Sequence, residues 1–355
     1  MFDALNDKIR DLTPYDPIQG TYPIRLDANE SFLPISNEIL QEAHNAISQL
    51  AYHRYPDPYA VQTTAAFAAY YGIDAELVTA GNGSDELIFV LMTAFLMKGE
   101  RVLTFSHDFS MYRFYAALIE AQCIEVPKNA DLTIDVDCVI HMAAEQRVRM
   151  ILFSNPCNPT SLGLCREEVR RLITSVDALV VLDEAYMDFW DQSLLEEVLQ
   201  YDNLIILRTC SKAFGMAAIR LGFAVANPTL TRAIRAVKSP YNVNAVTQAI
   251  GTAVLKKSQL LRDSIQTILS AKAALFAACK ELEQQFPDRL HVYESCTNFI
   301  FVQTPDARQW YDFLLEHGVA VRCMGDYLRI TAGADEENDM VTQLSKQFLN
   351  GKGES

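Results

Sequence analysis

Ala178-Leu179-Val180-Val181-Leu182-Asp183-Glu184-Ala185-Tyr186 is the stretch on which the fold turns. Five apolar residues in a row, with no alternation, describe a short strand buried on both faces. Similar apolar runs stand at 101–105, 150–153, 203–207 and 221–226. Helix-like stretches at 84–97, 109–120, 166–175 and 193–200 separate several of them. Continuous apolar strands alternating with helices predict an α/β fold whose mostly parallel sheet is covered on both faces.

Outward from that block the character changes. Residues 36–50 and 59–71 read as amphipathic helices on either side of Tyr55-Pro56-Asp57-Pro58, which cannot be helical. Residues 243–284 read as one or two long helices, followed by strands at 297–303, 318–322 and 327–331 and helices at 306–316 and 336–350. The expected organisation is an N-terminal arm over 1–45 that joins the small domain, a large domain over 46–244 and a smaller α+β domain over 245–355.

Composition bounds the function. The chain has 355 residues, half of them apolar, so a sizeable core can form. Lys plus Arg total 30 against 45 Asp plus Glu, a formal charge of −15. That balance argues against a nucleic-acid backbone or an anionic membrane surface as partner. Met1 to Arg10 is polar, and no run of about 18 apolar residues occurs. The eight cysteines show no C-x-x-C spacing, so no metal site is expected, and buried free thiols in a reducing cytoplasm are.

In an open parallel sheet, ligands bind at the carboxyl ends of the strands. The strand at 150–153 is followed by Ser154-Asn155-Pro156-Cys157-Asn158-Pro159-Thr160, and that at 178–182 by Asp183-Glu184-Ala185-Tyr186. The strand at 203–207 is followed by Arg208-Thr209-Cys210-Ser211-Lys212. Gly81-Asn82-Gly83-Ser84-Asp85-Glu86 opens the helix at 84–97. Each has a plain structural explanation alone: a helix cap for Ser84 or Asp85, a surface amine for Lys212, a salt bridge for Asp183. Together they describe one site. The helix start at Gly83, Ser84 and Asp85, with Ser211 and Arg220, suits an anion. Lys212, enclosed, becomes a nucleophilic amine. Asp183 stays ionised only against a cation, and Tyr186 and Asn158 can hydrogen-bond a phenolate. A phosphate, a cationic ring nitrogen, a phenolate and an aldehyde for the lysine are the groups of pyridoxal 5′-phosphate (PLP).

Three motifs resemble the class I/II aminotransferases of PLP fold type I: Asn155 to Thr160, Asp183 to Tyr186, and Ser211-Lys212 with Arg220-Leu221-Gly222. Leu12 to Tyr15, Leu26 to Glu30, Arg54 to Pro58, Gly81 to Glu86 and Tyr327 to Gly333 resemble the histidinol-phosphate branch of that family. The likeness runs from about residue 12 to 348. It implies a large domain with a seven-stranded-type sheet, PLP as cofactor, and ping-pong transfer of an amino group from L-histidinol phosphate to 2-oxoglutarate.

By the same resemblance, Lys212 carries the cofactor and moves the proton, with Asp183 and Tyr186 beside it. Thr209 joins Ser211 on the cofactor, and Tyr112 stacks on its ring. Tyr55 reaches the cofactor phosphate of a neighbouring subunit, which implies a homodimer. Arg329 grips the substrate carboxylate, and Arg322, Tyr15 and Asn29 lie near the amino substrate. An arginine in mid-strand between Leu328 and Ile330 also calls for an anion by itself. Three positions depart from the family pattern: Ser31-Phe32 for Asn-Pro, Ser161 for Gly, and Ala332-Gly333-Ala334 for Val-Gly-Thr. An aromatic or broad-specificity aminotransferase, a PLP-dependent decarboxylase of a phosphorylated amino acid, and a non-catalytic PLP-fold regulator remain alternatives at this level.

Overall fold

The computed structural model describes residues 6–10, 12 and 18–351, the side chain of Asp7 excepted. Its strands run, in chain order, β1 (Ile24–Arg25), β2 (Val78–Gly81), β3 (Arg101–Phe105), β4 (Gln122–Val126), β5 (Met150–Ser154), β6 (Leu179–Asp183), β7 (Leu204–Thr209), β8 (Gly222–Ala226), β9 (His291–Val292), β10 (Phe299–Gln303), β11 (Val319–Ala320), β12 (Arg322–Met324) and β13 (Tyr327–Thr331). Seven form one sheet in the order β2-β8-β7-β6-β5-β3-β4. All its pairings are parallel except those of β8, which runs against both β2 and β7.

The apolar runs become the middle of this sheet because they have no polar face to give to water. β5, β7 and β8 are buried throughout, and β6 from its second residue. Several elements were not anticipated, among them β2 and the short strands β1 and β9. β4, with Gln122 and Glu125, is a half-exposed edge strand without an apolar run. The helices Val136–Glu145 and Pro228–Val237 bury only one face, so their apolar residues are sparse. The stretch expected as a helix at 193–200 is a 3₁₀ turn over Leu195–Gln200.

A four-stranded sheet, β12-β13-β10-β9, and the parallel pair β1-β11 lie beyond it. The helix Ser258–Gln285 serves two cores. Leu261, Ile265 and Ile268 pack with the large sheet, and Leu275, Cys279 and Leu282 pack with β10, β13 and Trp310. Leu26 belongs to the second core, so the chain near the N-terminus is sewn to it. Among the described residues no helix is long and apolar enough to cross a membrane, and no cluster of metal-ligating side chains forms. The cysteines are all free, but the expectation of burial holds only for Cys157, Cys210 and Cys279. Cys138 and Cys165 are exposed, because they lie on the outward side of a helix and at a helix start.

Candidate active site

Strand register aligns the sequence-predicted groups. Ser154 of β5 stands opposite Asp183 of β6. Gly222 of β8 stands opposite both Gly81 of β2 and Thr209 of β7. The carboxyl ends of β5, β6 and β7 and the turn after β2 therefore open onto one place. There a cavity of about 560 Å³ is lined by Asn29, Ser84, Asp85, Asn158, Asp183, Tyr186, Thr209, Ser211, Lys212, Arg220, Arg322 and Arg329, among others.

The anion end depends on two glycines. Gly83 has φ +86° and precedes the helix Ser84–Phe95, and a Cβ there would stand 2.8 Å from Arg220 Nη2. A Cβ on Gly222 would lie 2.3 Å from the Ser84 backbone nitrogen. The guanidinium and the helix start converge only because neither residue has a side chain. Arg220, itself at φ +53°, donates to Ser211 Oγ at 3.4 Å. Thr209 Oγ1 donates to Ser211 Oγ at 3.0 Å and accepts the Ser211 N–H at 3.1 Å. Backbone N–H groups, two hydroxyls and a guanidinium are the donor set of a phosphate site.

Asp183 accepts from Tyr112 Oη at 2.9 Å and from the Ala185 N–H at 3.2 Å. Burial pushes its carboxyl up to about 7, the two hydrogen bonds opposing and the nearby Asp108 and Asp85 charges reinforcing. Lys212 Nζ donates to the Ala28 carbonyl at 2.9 Å and lies 5.9 Å from the centre of the Tyr186 ring. Burial, with Arg329 and Arg220 adding repulsion, brings that amine down to about 8. Tyr186 Oη accepts from Asn29 Nδ2 at 2.8 Å, and burial lifts its phenol to about 12.

Arg329 donates to Asn158 Oδ1 at 2.5 Å and to the Asp27 carbonyl at 2.6 Å, with its guanidinium 5.5 Å from the Phe299 ring centre. Its cross-strand partner in the β12–β13 pair is Arg322, and both line the cavity. Two arginines side by side on neighbouring strands repel unless an anion joins them.

One expectation changes. Tyr112 is not the ring at the cavity wall: it lies inside the core on the helix Met111–Leu118 with its hydroxyl on Asp183, and Phe109, in the loop before that helix, takes the wall. Tyr55 is outside this cavity, 81% exposed and stacked on Tyr241 at 4.6 Å. Tyr15 lies outside the described residues. Asp108, which no sequence expectation names, and Ser154, which none gives a role, complete the cavity wall. Asp108 accepts from the Ser154 hydroxyl and from the Phe109 N–H at 2.7 Å, and Ser154 Oγ accepts the Asn158 N–H at 3.1 Å. The strand-end rule, put to the run at 101–105, would have found Asp108.

Residues 22–346 match the model of the aminotransferase class I and II family. The chain belongs to that family. This aminotransferase is 40% identical to the histidinol-phosphate aminotransferase of Clostridium novyi over 343 residues, 95% of each chain. It is 35% identical to that of Chlorobaculum tepidum over 332 residues, 92% and 94% of the two chains. The crystal structure of histidinol-phosphate aminotransferase from Sinorhizobium meliloti, in complex with pyridoxal-5′-phosphate, superimposes with a TM-score of 0.87 at 21% identity, covering 98% and 99%. That likeness shows the shared fold.

Ser161, which stands where the resemblance leads to the expectation of glycine, adopts φ +63°. Its hydroxyl donates to the Glu294 carbonyl at 2.7 Å, which offsets the left-handed backbone. The cavity of the aminotransferase is also less basic than its arginines suggest. Asp27, Asp85, Asp108 and Asp183 line it together with Lys212, Arg220, Arg322 and Arg329.

Proposed function

We propose that this aminotransferase uses PLP to exchange an amino group between L-histidinol phosphate and 2-oxoglutarate by a ping-pong route, in histidine biosynthesis in the cytoplasm. The observation that carries the cofactor is the convergence of Lys212, Asp183 and a glycine-lined helix start with Arg220 on one cavity. The residues fit the group by donor chemistry: an anion cup, a carboxylate for a cationic ring nitrogen, and a hydroxyl and an amide for a phenolate oxygen. The cross-strand pair Arg322 and Arg329 supports a substrate with more than one negative charge, as do relatives of 31–40% identity that bear the histidinol-phosphate name.

PLP, when bound, supplies an electron sink for negative charge at the substrate Cα. Lys212 would take the proton from Cα and return it across the nitrogen to C4′ of the cofactor, and its amine near 8 suits both directions at neutral pH. Asp183 holds the ring-nitrogen proton, and a cation opposite it draws the carboxyl back to its ionised form. Tyr186 and Asn158 orient the phenolate oxygen, and Ser84, Asp85, Thr209, Ser211 and Arg220 hold the phosphate. Phe109, rather than Tyr112, faces the ring. Arg329 takes the carboxylate of glutamate or 2-oxoglutarate, and Arg322, with Asn29 and Tyr15, receives the phosphorylated amino alcohol. The protein works as a homodimer in which Tyr55 reaches the partner's cofactor phosphate, consistent with a tyrosine that leaves its own core.

Half-reaction absorbance spectra test the reading. L-histidinol phosphate should convert the PLP form at a rate far above phenylalanine or tyrosine. Equal or faster conversion by an aromatic amino acid overturns the substrate, and no visible band after PLP addition overturns the cofactor.

A further inference from the structure

The helix Pro228–Val237 is capped by Lys238, which is only 7% exposed. A lysine at a helix C-terminus ordinarily serves the dipole from solvent. Here Nζ turns inward and donates to the Pro58 carbonyl at 2.8 Å, to Asn242 Oδ1 at 2.8 Å and to the Ser239 carbonyl at 3.4 Å. Among the described residues no carboxylate lies within ion-pair distance of it. A buried ammonium held by neutral acceptors is costly to desolvate and persists only where those contacts are fixed.

The contacts continue in two directions. Asn242 Nδ2 donates to Glu86 Oε2 at 2.9 Å, and the same oxygen accepts the Asn82 N–H at 2.6 Å. That reaches the turn Gly81 to Gly83, which shapes the anion end of the cavity. In the other direction Pro58 closes the turn that carries Tyr55, and Tyr55 stacks on Tyr241, the residue before Asn242, at 4.6 Å and 15°. Tyr241 is at φ +61°, a conformation that costs free energy in a non-glycine residue and places its ring against Tyr55.

We propose that Lys238 is a positioning residue that ties each subunit's phosphate-binding turn to the tyrosine turn the same subunit extends to its partner. The link runs Pro58–Lys238–Asn242–Glu86–Asn82, and its consequence is that cofactor retention in one subunit depends on the fit of the other. This rests on the dimer reading given above, in which Tyr55 crosses to the partner's cofactor.

The experiment measures the PLP dissociation constant by absorbance titration of the apoprotein, for wild type, Lys238→Met, Tyr55→Phe and the double variant. Each single variant should bind PLP about ten-fold more weakly, and the double variant also about ten-fold, because Lys238→Met misplaces and Tyr55→Phe removes the same hydroxyl contact with the partner's phosphate. Asn242→Leu cuts the link at its middle and should give the same loss, which keeps the test open if Lys238→Met does not fold. Wild-type affinity in Lys238→Met or Asn242→Leu overturns the proposal, and so does a double variant weakened by the product of the two single effects. Sedimentation of the wild type separates the two readings. A monomer overturns the dimer on which the inference rests, whereas a dimer with unaltered PLP binding in Lys238→Met overturns the inference alone.

Discussion

Asp183, Thr209 and Ser211 stand at and just beyond the ends of adjacent strands of one sheet, whereas Asn29, Arg322 and Arg329 come from an N-terminal segment and a second sheet. The first wall is fixed locally. Its residues hold one another, and behind them Glu184 and Arg208, the next residue from Asp183 and the one before Thr209, form a buried ion pair at 2.8 Å. The second wall is assembled across long sequence distances. Asn29, at φ +55°, is held by Thr331 and Asn298, and Arg329 bridges Asn158 and Asp27. The first wall's residues are legible from their place at strand ends, while the second wall's come to notice through resemblance and only docking of separate segments sets how they meet.

The largest effects belong to the first wall. Lys212→Ala should abolish the visible band of lysine-bound cofactor and cut turnover by roughly 10⁴-fold or more. In the wild type, PLP uptake by the apoprotein should accelerate as pH rises through about 8, since the amine attacks only when neutral. Retention of turnover in Lys212→Ala would dissolve the contrast between the walls.

Asp183→Asn should lower kcat by about 10³-fold. It also makes a stability claim with a definite sign. The folded carboxyl sits near 7 against an ordinary 3.8, so the apoprotein holds this proton more tightly than the unfolded chain. That contribution is full below about pH 4 and is lost as pH rises through about 7. The melting temperature of apo Asp183→Asn should therefore exceed that of wild type at pH 8 and differ little at pH 4. No gap at pH 8 would mean that Asp183 is not strained by burial.

The second wall should answer in KM more than in kcat. Arg329→Ala should raise KM for 2-oxoglutarate by about 100-fold, as expected for loss of a charged clamp. Arg322→Ala should lower kcat/KM for L-histidinol phosphate by about ten-fold and leave phenylalanine nearly unaffected. Equal losses on both substrates would remove Arg322 from specificity. The smallest effect is expected at Ser161, outside the cavity lining, where the loop after β5 meets the segment before β10. Ser161→Gly relieves a left-handed backbone but loses the hydrogen bond to Glu294, two terms of about 1 kcal/mol each that offset one another. Its melting temperature should move by no more than about 2 °C.

The runs at 178–182 and 203–207 and the polar groups after them were readable because a central parallel strand shows no alternation and its carboxyl end must face the ligand. β4 was not readable, since an edge strand carries Gln122 and Glu125 among its apolar residues. Tyr112 and Phe109 show the finer limit. Both are aromatic and three residues apart, and only the way the loop and the helix after it pack decides which faces the cavity and which reaches Asp183.

The sequence by itself determined the central strands of the sheet, the order of their loops and the chemistry of the cofactor wall, because hydrophobic periodicity and strand-end position are local properties. Only the tertiary structure decided the neutralising company of the cavity's cations, the pairing of Arg322 with Arg329, the burial that sets Asp183 near 7 and Lys212 near 8, and the link through Lys238. Each of these depends on distances between residues far apart in the chain, and electrostatic and desolvation energies exist only once those distances are fixed.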